Sequence, residues 1–194
     1  MGVGYYLCSP TLTKIGEFGD AYSEATTIND SGQVVGFVYT DHIIKSSFFY
    51  SNGTVTNPGA LSGDQANGIN SSGQIVGGTS YNNMGAQNAF LYSDGDMKIL
   101  SNNCSRANGI NSSGQVVGYN IDSSSREAYA FLYFRGKMSN LGTLGGTSSY
   151  AMAINNSGQI AGFSLVTGDS EENAFLYSNG KMTDLGTLGG KRSH

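Results

Sequence analysis

A motif of nine residues occurs four times in this chain of 194 residues. It reads INDSGQVVG from Ile28, INSSGQIVG from Ile69, INSSGQVVG from Ile110 and INNSGQIAG from Ile154. The spacings between successive copies are 41, 41 and 44 residues. A period of about 40 to 45 residues is typical of the four-stranded blades of β-propellers, so this repetition constrains the fold more than any other feature of the sequence.

Each unit contains four short segments that have the character of β-strands. A segment ending in Ile-Asn comes first, GQ[VI][VA]G second, AFLY or SFFY third, and a segment such as KMSNLGTLGG last. The runs VVG and FLY are apolar at successive positions, as in strands that are covered on both faces. The sequence therefore predicts an all-β fold, a β-propeller-like array of four-stranded antiparallel repeats of about 41–44 residues.

The turn between the first two segments predicts a structural role for its residues. Asn accepts hydrogen bonds from backbone groups two residues on, and Gly adopts a positive φ without steric cost. We expect the repeated asparagines to close these turns and the repeated glycines to take the left-handed position. These residues are Asn29, Gly32, Asn70, Gly73, Asn111, Gly114, Asn155 and Gly158.

Counting each unit from its Leu- and Gly-rich segment predicts the domain organisation. An N-terminal extension (1–11) precedes a single repeat domain (12–190), and a tail (191–194) resembles a tag remnant. The predicted repeats span 12–55, 56–97, 98–138 and 139–182, with an extra strand at 183–190. The extra strand and the degenerate copy at 12–20 compete for one position. The extra strand is therefore expected to belong to a longer array, to be displaced, or to pair with another molecule.

Composition excludes several classes of partner and cofactor. The net charge is −4 and the ten basic residues are scattered, which disfavours nucleic acid as a partner. No apolar stretch approaches the roughly 18–20 residues of a membrane-spanning helix, and the first residues do not resemble a signal peptide. Cys8 and Cys104 occupy non-equivalent places in the repeat, so we expect two free thiols and no disulfide framework.

The search for catalytic chemistry predicts no catalytic residue, no metal site and no cofactor. His42 is the one histidine before the tail, and no His, Cys and Asp cluster has metal-ligand spacing. Repeated calcium loops need repeated carboxylates, but the equivalent turn positions carry Asp only at Asp30. Glycosidases need two separated acids across a cleft, whereas Asp169, Glu171 and Glu172 cluster in one loop.

The segments between the second and third strands differ from one unit to the next. They read YTDHIIKS, SYNNMGAQ, NIDSSSREAY and LVTGDSEEN, and they are expected to emerge together on one face. Polar loops rich in Tyr and Asn suit a glycan or a protein surface. The sequence therefore predicts ligand-binding residues in these loops, namely Tyr39, Tyr81, Asn82, Asn83, Arg126 and Glu172.

The pattern LGTLGGxxSxAxxINxxGQ[VI][VA]G followed by AFLYxxGxM resembles the bacterial HAF repeat. The match is strongest from Asn140 to Met182, and the resemblance extends over nearly the whole chain. The His that precedes Ala-Phe in that family is absent, since Ser47, Asn88, Tyr129 and Asn173 flank the position here. The resemblance implies a propeller-like fold and an extracellular or cell-surface location. It implies no activity and no catalytic residues.

Three functions are compatible with these features. The first is a non-enzymatic, secreted or surface-displayed module that binds a protein or glycan partner through its variable loops. The second is a structural repeat unit that forms homo-oligomers through an unpaired terminal strand. The third is a glycosidase-like propeller enzyme, which the clustered acids disfavour.

Overall fold

The computed structural model describes residues 22–40, 43–56, 64–81, 86–187, 189–190 and 192–193. Within these ranges the chain forms sixteen β-strands in four sheets. The predicted all-β fold of four-stranded antiparallel units is confirmed. In the described part of the chain, no helix is long and apolar enough to cross a membrane.

Each sheet contains four strands that follow one another in the chain. The first sheet consists of β1 (Tyr22–Ile28), β2 (Val34–Thr40), β3 (Ile43–Ser51) and β4 (Thr54–Thr56). The second consists of β5 (Gln65–Ile69), β6 (Ile75–Tyr81), β7 (Ala86–Ser93) and β8 (Asp96–Ile99). The third consists of β9 (Ser105–Ile110), β10 (Val116–Ile121), β11 (Ala128–Phe134) and β12 (Lys137–Asn140). The fourth consists of β13 (Gly145–Ile154), β14 (Ile160–Val166), β15 (Glu172–Ser178) and β16 (Lys181–Gly186).

The strands of each sheet pair in chain order as an antiparallel meander. Because consecutive strands reverse direction, the turns after the first and third strands lie at one end of every sheet. We call this the asparagine-turn end, since it holds the repeated Ile-Asn motif. The loops after the second strands and the links between sheets lie at the other end, which we call the variable-loop end.

The core consists of three apolar clusters, one between each pair of neighbouring sheets. In each cluster the first strand of one sheet packs against the first three strands of the sheet before it. Phe90, Phe131 and Phe175 are each at most 1% exposed and fill the centres of the clusters. The clusters centre on Val35, Ile69, Ile75 and Phe90; on Val76, Ala89, Val116 and Phe131; and on Val117, Ala130, Ile160 and Phe175.

The adjacent apolar residues of the second strands face opposite sides of their sheet. Ile75 packs towards the first sheet, whereas its neighbour Val76 packs towards the third. Val116 and Val117 divide in the same way between the second and fourth sheets. This division explains why these strands are apolar at successive positions.

The glycine that follows each apolar pair is required by a close approach within its own sheet. A Cβ atom on Gly77 would overlap the backbone oxygen of Gln65 and come 2.8 Å from the Phe90 ring. On Gly118 it would overlap the backbone oxygen of Arg106. The absence of a side chain therefore lets the second strand lie close to the first while the Phe ring covers the backbone.

The repeat boundaries predicted from the sequence need correction. The predicted divisions after residues 55, 97, 138 and 182 fall inside the fourth strand of each sheet, so the third and fourth sheets begin later than expected. The predicted extra strand at 183–190 begins within β16, which pairs with β15 through Phe175 and Asp184. Leu141 to Leu144 form a link rather than a strand, because Gly142 (φ 83°) and Gly145 (φ 99°) turn the backbone between β12 and β13. The predicted segment at 12–20 lies outside the described residues.

Ser193 in the tail makes the same kinds of contact as Ser149 in β13. Ser193 Oγ accepts a hydrogen bond from Ala174 N at 2.7 Å and donates one to Gly186 O at 2.7 Å. Ser149, which lies 44 positions earlier, makes the equivalent bonds to Ala130 N and Gly142 O. Ser193 therefore makes the contacts that a first strand of the repeat makes.

Candidate functional site

The asparagine turns are closed by their own side chains and backbone. Asn111 Oδ1 accepts hydrogen bonds from Ser113 N at 3.1 Å and Gln115 N at 3.0 Å. Gly114 N donates to Asn111 O at 3.0 Å, and Gly114 has a φ of 75°. The equivalent glycines Gly32, Gly73 and Gly158 have φ values of 73°, 77° and 78°. These turns are held by the Asn and Gly chemistry that the motif predicts.

The same asparagines also connect neighbouring sheets, which the sequence analysis did not foresee. Asn29 Nδ2 donates to Asn70 O at 2.8 Å, Asn70 Nδ2 to Asn111 O at 3.1 Å, and Asn111 Nδ2 to Asn155 O at 3.1 Å. Asn70 and Asn111 are 4% and 3% exposed, so these bonds lie out of water. We call this row of bonds the asparagine ladder.

A second row of bonds between sheets starts from β-bulges in the first strands. The register of β5 against β6 shifts between Ala66 and Gly68, which sets Asn67 at the bulge. Asn67 Nδ2 donates to Ala107 O at 2.8 Å, and Asn108 Nδ2 donates to Ala151 O at 2.8 Å. A bulge redirects one side chain out of the strand pattern, and here it directs an amide to the next sheet.

The variable-loop end has a different organisation, since the loops described there, in the third and fourth sheets, are closed within their own sheet. In the β10–β11 loop, Asp122 Oδ1 accepts hydrogen bonds from Ser124 N at 2.8 Å and Ser125 N at 3.0 Å. The backbone N–H groups of Ser125 and Ser124 hold the pKa of this exposed carboxyl below its usual value. Arg126 follows with a φ of 63°, and its N–H donates to Asp122 O at 2.9 Å.

A pocket of about 340 Å³ opens at the variable-loop end of the third sheet. Tyr129 is one of the lining residues, and its hydroxyl donates to Glu127 Oε2 at 2.6 Å, which raises the pKa of Tyr129. The lining residues include three asparagines, Asp122 and Met138, but no Lys or Arg among the described residues. The full lining is Asn103, Asn120, Ile121, Asp122, Tyr129, Ala130, Phe131, Met138 and Asn140. The pocket is therefore a concave site lined by three amide groups and by the aromatic residues Tyr129 and Phe131.

A smaller pocket of about 180 Å³ lies at the asparagine-turn end. It is lined by the turn residues of all four sheets, including Asn70 and Asn111. The side chains of these two asparagines are committed to their turns and to the ladder. Ser112 also donates from its N–H and Oγ to Asn156 Oδ1 at 3.0 and 2.9 Å. The polar groups here hold the sheets together, so this pocket is the weaker candidate for a ligand.

The described members of the predicted ligand-binding set lie at the variable-loop end but on separate sheets. Tyr39, near the end of β2, stacks on Tyr22 with ring centroids 5.6 Å apart. Arg126 lies in the β10–β11 loop, three residues from Tyr129 of the larger pocket. Glu172 begins β15, and its Oε2 lies 3.7 Å from Arg192 Nε. Tyr81 ends β6, whereas Asn82 and Asn83 lie outside the described residues, as do His42 and Cys8.

Several residues of the variable-loop end were missed by the sequence analysis. Tyr150 packs edge-on against Tyr119, with ring centroids 4.9 Å apart, and stacks on Phe163 at 4.8 Å. Burial raises the pKa of Tyr150, with smaller contributions from Tyr119 and Glu172. The pocket residues Asn103, Asn120 and Asn140 were also missed, because they are far apart in the chain. Cys104 is a free, partly exposed thiol. Within the described ranges, no three His, Cys, Asp or Glu residues lie close enough to hold a metal ion.

No protein-family model matches the chain, and no curated protein matches it. Solved structures do. TolB from Acinetobacter baumannii superposes with a TM-score of 0.63 at 15% identity, over 85% of this chain and 43% of that protein. The β-propeller domain of the Trilobed protease from Pyrococcus furiosus, described as having an open velcro topology, gives 0.59 at 10% identity, over 87% and 56%. The acylaminoacyl peptidase of Pyrococcus horikoshii gives 0.57 at 14% identity, over 86% and 27%.

The chain thus spans 43%, 56% and 27% of the lengths of these three structures. Identities of 15% or less support a shared architecture and no shared activity. The sheet order, the burial of the first strands and these likenesses agree on one fold: the chain forms a β-propeller-like array of four-stranded antiparallel sheets.

Proposed function

We propose that this chain is a non-enzymatic module, exposed outside the cell, that binds a glycan at its variable-loop end. The observation that carries this proposal is the pocket of about 340 Å³ between Asn103, Asn120, Tyr129 and Asn140. Amides donate and accept hydrogen bonds at once, as sugar hydroxyls require, and an aromatic ring offers a flat apolar face. A glycan fits this concave, polar site better than a flat protein surface does.

The charge around the pocket favours a neutral glycan over an acidic one. Asp122 lines the pocket, and Glu127 bonds to the hydroxyl of Tyr129. The carboxylate of Asp122 is ionised at neutral pH, since backbone N–H groups lower its pKa further below the ordinary value of 3.8. A uronic or sialic acid would bring a like charge close to these groups, which opposes binding.

Asp169 and Glu172, two of the clustered acids that the sequence analysis judged unsuited to a glycosidase, have other partners. Asp169 Oδ1 accepts a hydrogen bond from Thr147 N at 2.8 Å and fixes its loop to β13. Glu172 lies against Arg192. Neither acid lines the larger pocket. This arrangement supports a binding role without hydrolysis.

The proposal is tested with a glycan array probed by the labelled full chain, followed by calorimetry with the glycans it retains. We expect at least one neutral glycan to bind and Tyr129→Ala to weaken that binding at least about tenfold, since the ring supplies the central apolar contact. Ser71→Ala, in the smaller pocket at the opposite end, is the matched control and should leave affinity unchanged.

Three results would overturn the proposal. The first is an array on which no glycan binds, and the second is a Tyr129→Ala variant that binds as tightly as the original chain. The third is release of new reducing ends from the bound glycan, which would show that the module is an enzyme.

A further inference from the structure

The fourth sheet exposes the face that the other sheets bury against a following sheet. Leu141, at the end of the third sheet, is 7% exposed, whereas the equivalent Leu185 is 56% exposed. Val117 is fully buried under the fourth sheet, whereas Ala161, its equivalent in β14, is exposed. The fourth sheet therefore has an apolar face that is open apart from the contacts of Ser193, and we call it the trailing face.

The first sheet exposes the opposite face. Ile28 is 64% exposed, whereas the equivalent Ile69 is 7% exposed and packs against Val35 of the sheet before it. Ala25 is exposed, whereas the equivalent Ala66 has no exposed surface. We call this open surface the leading face.

We propose that the trailing face of one copy packs against the leading face of a second copy, in the arrangement that successive sheets adopt within the chain. The two faces carry the same kinds of residue, in the same register, as the interfaces already formed inside the molecule. Burying Ile28 and Leu185 removes exposed apolar surface from water. Asn155, at the end of the asparagine ladder, would continue the ladder by donating to the backbone oxygen of Asn29 in the second copy.

The position of the tail independently indicates what the trailing face accepts. Ser193 makes the bonds to Ala174 and Gly186 that Ser149, in the first strand of a sheet, makes to the third sheet. The trailing face therefore offers the hydrogen-bonding groups that a first strand uses. In the second copy the equivalent residue is Ser23, at the start of β1, so Ser23 and Ser193 compete for one position.

This interface differs from the predicted pairing through an unpaired terminal strand. β16 is paired with β15 and is not an isolated strand, and the proposed contact joins the faces of two sheets rather than the edges of two strands. The contact is head to tail, because it joins two different surfaces. It does not depend on glycan binding.

The test measures the mass of the full chain by size exclusion with light scattering between about 10 and 200 µM. We expect a species of at least twice the single-chain mass whose fraction rises with concentration. Ile28→Asp on the leading face and Ala161→Arg on the trailing face should each weaken association at least about tenfold, since each buries a charge in an apolar contact. Ile99→Asp, at an outer strand of the second sheet, should leave the mass unchanged.

Mixing the two interface variants distinguishes head-to-tail packing from a symmetric contact. Each variant retains the face that the other has lost, so an equimolar mixture should form one-to-one pairs. Circular dichroism and melting curves like those of the original chain establish that both variants fold.

A single-chain mass at every concentration would overturn the proposal. That result is expected if additional repeats or an unrelated partner cover these faces instead. The proposal is equally overturned by folded variants that keep the original mass, or by folded variants that fail to pair when mixed. Loss of glycan binding with association intact would count against the proposed function alone.

Discussion

The two ends of the sheet array are built from the same strands, yet their loops are stabilised in opposite ways. At the asparagine-turn end, the asparagine turn of each of the first three sheets bonds to the next sheet, as Asn70 Nδ2 does to Asn111 O. At the variable-loop end, the described loops of the third and fourth sheets bond within their own sheet. Asp122 caps Ser124 and Ser125, and Asp169 N donates to Val166 O.

This difference explains why one end repeats and the other varies. An interior asparagine turn donates a hydrogen bond to the next turn and accepts one from the turn before it. Both neighbouring turns therefore constrain its sequence. A loop that satisfies its own polar groups can change without leaving a neighbour unpaired. Binding residues can therefore be placed at the variable-loop end while the asparagine-turn end maintains the array.

The largest expected effect comes from breaking the asparagine ladder in its interior. Asn111→Ala removes the acceptor for Ser113 N and Gln115 N and the donor to Asn155 O, at a position 3% exposed. Buried groups left unpaired cost about 1–3 kcal/mol each, so we expect a loss of about 2–4 kcal/mol in the free energy of unfolding. Urea denaturation followed by circular dichroism measures it.

Asn155→Ala is the matched control, because Asn155 closes the same turn at an exposed position where its amide donates to Gln159 Oε1. We expect it to cost about half as much, since water replaces the lost bonds. Equal losses at the two positions would show that the ladder adds nothing to the turn.

An intermediate effect comes from exchanging the residues with positive φ at the two ends. Gly114 has a φ of 75°, and a Cβ there would lie 3.4 Å from Gln74 Oε1, so Gly114→Ala should cost about 1–2 kcal/mol. Arg126 has a φ of 63° in a loop without such contacts to the next sheet. Arg126→Gly relieves backbone strain in the folded chain but increases the entropy of the unfolded chain, so the two effects offset each other. We expect a change within about 0.5 kcal/mol, measured by the same denaturation, and a larger loss at Arg126 would contradict the comparison.

The features predicted from the sequence are those that one repeat specifies alone. The strand order and the turn chemistry of Asn111 and Gly114 can be read from a single unit. The direction of Asn111 Nδ2 towards the next sheet cannot, because it depends on how the sheets pack. The bulge that redirects Asn67 leaves no mark in the alternation of residues.

The link and the pocket were missed for different physical reasons. The segment at 141–144 has the Leu and Thr content of a strand, and its identity as a link depends on the positive φ of Gly142. The pocket joins Asn103, Tyr129 and Asn140, which belong to a link and to two different strands. No pattern within one repeat indicates that residues so far apart in the chain line the same pocket.

The smallest expected effect concerns the charge of Asp122 at the variable-loop end. Its pKa is lowered in the folded chain by the backbone N–H groups of Ser125 and Ser124. A lowered folded pKa means that the stabilisation is present above the ordinary value of 3.8 and is lost as the pH falls through the folded pKa.

Asp122→Asn keeps an acceptor for both N–H groups but removes the titration. Amide hydrogen exchange at Ser124 and Ser125 should therefore lose protection below about pH 4 in the original chain but not in the variant. The asparagine turns should show no such change in either protein, since their acceptors are uncharged amides. If Ser113 lost protection in acid as Ser124 does, the two ends would be coupled. The sequence variation of the loops would then need an explanation other than their independence from neighbouring sheets.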